Sequence, residues 1–251
     1  MSNHQNTVRE QPFDSRSPFA AIAPYSLRYK ERVPVLHAFE LGLANCLFAS
    51  LGRLPPRLGG GTLSLRDAGL PFLAAECGVF RGTGLAACAE LAKATQLPIR
   101  IYGLDTFSGL PELGSQDRAL APADALYLAS QLFADTSVQS VQRFLDERGV
   151  SEYTVLVPGL FEETMKSLPD DEYFFVNVDC DLYEPHTQCL EFFYPRVPRG
   201  GIIFFDDYHS VEFPMARKAI DDFMRSRPEM LFHLRYADDG PNQTKAFIVK
   251  F

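Results

Sequence analysis

Val176-Asn177-Val178-Asp179-Cys180-Asp181 is a short, mostly apolar run that ends abruptly in carboxylates, and Ile202-Ile203-Phe204-Phe205-Asp206-Asp207 repeats the pattern. Runs this short and β-rich read as buried strands of a parallel sheet whose two faces are covered by helices. In an open sheet of that kind ligands bind at the carboxyl ends of the strands, where these aspartates would fall. Asp179, Asp181, Asp206 and Asp207 would repel one another if nothing neutralised them. A hard divalent cation such as Mg2+ is a simple remedy, because it takes carboxylate oxygens and keeps positions open for water or substrate. Taken singly, an Asp-Asp pair is more often a helix cap or a solvated turn. Two acidic strand ends in one sheet shift the balance toward a site.

Outward from these runs, strand and helix alternate. Residues 71–77, 99–104, 153–157, 173–178 and 201–205 read as strands, with helices over 82–96, 138–148, 162–167, 185–194 and 215–225. Strands separated by helices imply right-handed crossovers and a parallel sheet. The last two strands, 231–236 and 244–250, have only a loop between them, which suits an antiparallel hairpin. The expected fold is therefore α/β and Rossmann-like: a mostly parallel seven-stranded sheet with a terminal antiparallel strand and helices on both faces. Ahead of it, residues 1–20 read as a polar, mobile tail. Residues 21–70 read as a helical or lid segment, and 71–251 as the main domain. Within the second segment, Tyr25 to Lys30 is aromatic and basic and could fold over a ligand. Val35, Leu36, Phe39, Leu43, Leu47 and Leu51 then recur at helical spacing.

The chain has 251 residues, 46% of them apolar, enough for the core of one large domain. Its net charge of -8 argues against nucleic-acid or anionic-membrane partners. The five cysteines form no C-x-x-C pair and lie mostly in apolar segments, so they read as reduced core thiols of a cytoplasmic protein. No segment has the length of a membrane-spanning helix, and the polar start lacks a secretory apolar region.

The turn after the first strand reads Glu76-Cys77-Gly78-Val79-Phe80-Arg81-Gly82-Thr83-Gly84. Its glycines let backbone pass close to a ligand, but the spacing is not the G-x-G-x-x-G that cradles a pyrophosphate. A cofactor without phosphates, such as S-adenosylmethionine, needs the closeness and not the cradle. Glu76 could meet that cofactor's ammonium group. The second strand ends Gly103-Leu104-Asp105, and an acidic residue there can accept both hydroxyls of an adenosine ribose. Alone, such an Asp is a turn cap about half the time. With Glu76, Gly78 and Gly82 beside it, the ribose reading prevails.

These blocks, together with Asp-Thr-Phe-Ser-Gly-Leu-Pro-Glu (105–112), Val-Pro-Gly-Leu-Phe-Glu-Glu-Thr (157–164), Asp-Cys-Asp-Leu-Tyr-Glu (179–184) and Pro-Arg-Gly-Gly-Ile-Ile-Phe-Phe-Asp-Asp-Tyr (198–208), resemble the macrocin O-methyltransferase (TylF-type) family. The resemblance runs in order over residues 71–250, and the N-terminal third carries no motif of it. It implies a class I methyltransferase fold and methyl transfer from S-adenosylmethionine, with Mg2+, to a sugar hydroxyl of a natural product. It also implies Asp179, Asp206 and Asp207 as metal ligands, Asp105 as the ribose partner, and residues 76–82 as the methionine-side loop, continued by Thr83. Thr106, Phe107 and Ser108 would lie near the adenosine.

Metal coordination would lower an alcohol's pKa and orient it for in-line displacement. Catechol O-methyltransferases follow similar metal logic, but the lysine they place three residues after the first metal aspartate is here Leu182. His209, next to the Asp206-Asp207 pair, is the first candidate for general base and Asp181 the second. His186 reads as a surface or capping residue. The insertion 114–134, with Leu120, Leu126, Tyr127, Leu128 and Leu132, reads equally as an apolar lid or as an extra helix packed on the domain. The expected partner is a small hydroxylated acceptor, with a homo-oligomer left open. A small phenolic diol is the rival acceptor. A nucleotide-dependent oxidoreductase, which lacks its phosphate fingerprint and a Tyr-x-x-x-Lys pair here, is the more distant alternative, and a non-catalytic relative would not need the intact acidic set.

Overall fold

In the computed structural model, which describes residues 33–51, 72–122, 132–235 and 244–251, the alternation is present. A helix α1 (Val33–Leu51) precedes β1 (Leu73–Cys77), α2 (Thr83–Thr95) and β2 (Arg100–Asp105). The short α3 (Ser115–Leu120) and α4 (Val138–Glu147) follow, then β3 (Thr154–Pro158), α5 (Phe161–Thr164), β4 (Tyr173–Val178) and α6 (Tyr183–Phe193). The chain finishes with β5 (Ile202–Phe205), α7 (Pro214–Met224), β6 (Leu231–Arg235) and β7 (Thr244–Val249).

The seven strands pair in the order β3-β2-β1-β4-β5-β7-β6. β1 to β5 are parallel, and β7 inserts antiparallel between β5 and β6. The strand order reverses between β1 and β4, and a crevice opens above such a switch point. Strand periodicity assigns side chains to two cores. Ile202, Phe204 and Phe247 join α1, α2 and α4 on one face, while Ile203, Phe205, Ala246 and Ile248 join α6 and α7 on the other. β4 is buried along its whole length, as expected of a strand covered on both sides.

α1 lies on the first face against β4, β5 and β7, with the Phe39 ring edge-on to Phe174 and Phe175 at 5.0 and 5.2 Å. It is a sheet-covering helix, and none of its described residues lines the crevice. The tail 1–20, the Tyr25 to Lys30 stretch and the connection up to residue 71 lie outside the described residues. All five cysteines are buried thiols, with no disulfide among them. No helix among the described residues is long and apolar enough to cross a membrane.

Of the insertion, residues 123–131, including Leu126, Tyr127 and Leu128, are outside the described residues. What is described fits the packed-helix alternative. α3 rests on α6 and α7, and Leu120 and Leu132 join Leu110, Leu113, Phe133 and Tyr183 around buried Phe213 and Met215.

Candidate active site

β1, β4 and β5 end in register, with Cys77 beside Val178 and Val178 beside Phe205. The ladder runs one residue further: Asp179 N–H donates to Cys77 O at 2.8 Å, and Asp206 N–H to Val178 O at 3.1 Å. Asp179 and Asp206 are thereby held on neighbouring strand ends, about 4.8 Å apart by sheet geometry. Oxygens of Asp179, Asp206 and Asp207 fall within 4.8 Å of one another. Asp181 turns back over the cluster with φ 62°, and its N–H donates to Asp207 Oδ2 at 3.1 Å. Burial, and then the charges of Asp207, Asp179, Asp206 and Asp105, push the Asp181 carboxyl well above the usual carboxylate range.

Among the described residues, one cation meets this cluster. Lys245 on β7 donates from Nζ to Asp206 Oδ2 at 2.6 Å and to Asp206 O at 3.0 Å. Burial pulls the Lys245 pKa down, but Asp206, with Asp179 and Asp207 behind it, outweighs burial and raises it, so the group stays charged. The donor set of three converging hard oxygens fits Mg2+ chemically. Asp179, Asp206 and Asp207 are the residues that would hold it.

The acidic strand ends form one wall of a cavity of about 530 Å3 that extends over the β1 and β2 termini. Glu76, Gly78, Val79, Phe80, Asp105 and Thr106 line that end. Asp105 is the hub of the two loops here. Its Oδ2 accepts the N–H groups of Val79 (2.7 Å) and Phe80 (2.8 Å), and its Oδ1 accepts that of Phe107 (2.6 Å). The glycines act differently from expectation. A Cβ on Gly78 (φ +93°) would lie 1.7 Å from Asp179 O, and one on Gly84 would lie 2.1 Å from Glu76 Oε1. Each makes room for protein at the strand ends, whatever room it also leaves for a ligand. Glu76 is buried, and Asn177, its register partner on β4, donates to Oε1 at 3.0 Å.

Several anticipated residues stand elsewhere. Gly82 is the left-handed N-cap of α2 and Thr83 its first residue, and neither lines the cavity. Phe107 is buried in the core beneath the loop and Ser108 is exposed, both off the cavity wall. His209 does not reach the cavity either. Its Nε2 lies 3.0 Å from His233 Nδ1 in the middle of β6, with the two rings edge-on, so it packs on that strand and not on the cavity. Burial, then His233 and the cations Arg217 and Lys245, lower its pKa. His186, read as a surface or capping residue, is fully buried, with Nδ1 2.8 Å from Leu182 O and 3.4 Å from Cys180 Sγ. α6 begins at Tyr183, two residues earlier than its Pro185 suggests, and His186 lies on its buried face with Cys189, Leu190 and Phe193.

A family model described as macrocin-O-methyltransferase (TylF) matches residues 64–232. The chain belongs to this family. An 8-demethyl-8-(2,3-dimethoxy-alpha-L-rhamnosyl)-tetracenomycin-C 4'-O-methyltransferase of Streptomyces olivaceus is 29% identical over 157 residues, covering 62% of this chain and 59% of the relative. A demethyldecarbamoylnovobiocin O-methyltransferase of Streptomyces niveus is 28% identical over 149 residues, 59% and 56% of the two chains. A mycinamicin III 3''-O-methyltransferase of Micromonospora griseorubida is 29% identical over 163 residues, 64% and 63%. The chain thus spans about six tenths of the length of these curated relatives. Among solved structures, the O-methyltransferase NovP superposes with a TM-score of 0.62 at 22% identity, covering 83% of this chain and 77% of that one. The calicheamicin methyltransferase CalS11 gives 0.60 at 21%, covering 99% and 98%. At these identities the likeness establishes the shared class I methyltransferase fold.

In this member of the macrocin O-methyltransferase family, three further residues shape the site without any local signal in the sequence. Lys245 is distant from every acidic motif, and only β7's place beside β5 delivers it. Asn177 reads as one more strand residue until its pairing with Glu76 is seen. Asp117, in the insertion, is 1% exposed and accepts Tyr183 N–H at 2.7 Å and Gly114 N–H at 3.1 Å. It fastens the insertion to the first turn of α6. The aromatic side of the cavity is tied down similarly: Phe80 meets Phe133 at 5.1 Å, and Thr136 Oγ1 donates to Phe80 O at 2.7 Å.

Proposed function

We propose that this chain transfers the methyl group of S-adenosylmethionine to a hydroxyl of a sugar or other polyhydroxylated group on a natural product, with Mg2+ required. The observation that carries the reading is one cavity holding both acidic strand ends, the Asp179-Asp206-Asp207 cluster and Asp181 on one side and Asp105 with the glycine turn on the other. When bound, the cofactor supplies an electrophilic methyl group and Mg2+ supplies a Lewis acid that favours the ionised form of a nearby hydroxyl.

The chain's own residues do the remaining work. Glu76 and the 78–80 turn offer a carboxylate and close backbone to the methionine end of the cofactor. Asp105 and Thr106 border the adenosine end. Asp181, the cavity carboxylate whose backbone is bonded to the triad, takes the acceptor's proton at its carboxylate oxygen, since His209 points to His233 and does not line the cavity. Its backbone N–H, anchored on Asp207, keeps that carboxylate over the cluster. The apolar wall of Phe80, Phe133, Leu160, Phe161 and Phe213 would exclude water and receive the hydrophobic body of an aglycone. The names of the relatives, which methylate rhamnosyl and other antibiotic groups, support a glycosylated acceptor.

The test is a panel assay with S-adenosylmethionine and purified protein. Glycosides bearing vicinal hydroxyls are expected to be methylated, with activity abolished by chelator and restored by Mg2+. Turnover confined to simple catechols rejects the sugar assignment. Equal turnover of an acceptor with a single isolated hydroxyl rejects chelation, and full activity in excess chelator rejects the metal.

A further inference from the structure

The metal reading of the triad leaves Lys245 without a role. β7 runs antiparallel to β5 with Ala246 opposite Phe205, so Lys245 lies opposite Asp206, one step beyond the paired strand. The Nζ contacts to Asp206 Oδ2 (2.6 Å) and Asp206 O (3.0 Å) seat the ammonium in a pocket where both side chains are only 15% exposed. Among the described residues lining the cavity it is the one cation, facing Asp179, Asp181, Asp206 and Asp207. The three triad carboxylates and one ammonium leave the cluster net negative. Without the ammonium, Asp206 would lose its close countercharge beside two like charges.

We propose that Lys245 is a built-in counter-ion of the triad, standing in for the divalent cation when none is bound and limiting how tightly one binds when it is. This rests on the metal reading above. Through Asp206 the lysine acts as a positioning residue. In the metal-free protein it holds the Asp206 carboxylate at the strand end and offsets the repulsion of Asp179 and Asp207. Once a cation is seated, the ammonium is a like charge across a shared ligand and opposes it. The two effects have opposite signs, which separates this role from a clamp between β5 and β7. A clamp stabilises the protein whether or not metal is present.

The experiment uses the metal-stripped 251-residue chain, as wild type, Lys245→Met and Lys245→Arg, with thermal melts and calorimetric titration of Mg2+. Lys245→Met should melt below wild type in chelator and recover to near wild type in saturating Mg2+. Its Mg2+ dissociation constant should fall about tenfold, the size of one near charge in a partly screened site. Lys245→Arg should behave as wild type. Lys245→Gln, which keeps an N–H donor for Asp206 O, guards against failure of the Met variant to fold and should show the same tightening. A loss of stability that Mg2+ does not restore, or an unchanged dissociation constant, overturns the inference and leaves the metal reading standing. Absence of Mg2+ binding to every form, wild type included, overturns both.

Discussion

Asp105 and Asp206 are the same residue type at the carboxyl ends of two strands of one sheet, and their surroundings differ in kind. Asp105 is met by backbone N–H groups from two loops, so its charge is satisfied by donors that fold with the strand. Asp206 is met by two more aspartates and, among the described residues, by one lysine from β7, a neighbouring strand far along the chain. Hydrogen bonds to a charged group contribute about 1.5–3 kcal/mol each. The β1–β2 end of the cavity is therefore organised before any ligand arrives. The β4–β5 end stores like-charge repulsion that a cation would relieve. One side is preorganised by backbone donors and the other concentrates negative charge.

That contrast can be broken by mutation. The largest effect is expected at Asp181: replacing it by Asn should lower kcat by about 10²–10⁴, as for a lost general base. The same variant should be no less stable. Asp181 has a folded-state pKa raised above its unfolded value, so the folded protein binds more protons and loses stability as pH rises from the ordinary carboxylate range toward that raised pKa. Asn removes this penalty and tolerates the positive φ. Melts in chelator from about pH 4 to 8 should show wild type, but not the variant, losing stability across that window. A variant destabilised at neutral pH would contradict the crowding argument.

Asp105→Ala strikes the preorganised side. It should weaken S-adenosylhomocysteine binding about ten- to a hundredfold by calorimetry and also lower stability in urea, because three N–H groups lose their acceptor. Weakened binding with unchanged stability would assign the carboxylate to the ligand alone. Asp117→Ala should cost about 1 kcal/mol, as a lost helix cap does, while chemistry at a tight-binding acceptor persists. His209→Ala should change kcat/KM by no more than about twofold, equivalent to about 0.5 kcal/mol for a residue outside the site. A drop comparable with that of Asp181→Asn would return the base to His209.

The sequence by itself determined the sheet, its helices and the acidic strand ends. Short, β-rich apolar runs such as 173–178 and 202–205 favour covered strands, and the residue that follows each then emerges at the open edge. Those are local facts, and they place Asp105, Asp179, Asp181, Asp206 and Asp207 along the edge where the cavity lies. Tertiary structure alone decided what each side chain meets there. Lys245 reaches Asp206 because β7 turns back between β5 and β6, and Asp117 caps α6 because the insertion folds onto it. Phe107 is drawn into the core and His209 toward His233 by packing that no neighbouring residue signals. Gly78 is required by the backbone of Asp179, far away in the chain. Periodicity encodes which face a residue takes. Partners brought from distant strands and loops are set by how the chain closes on itself.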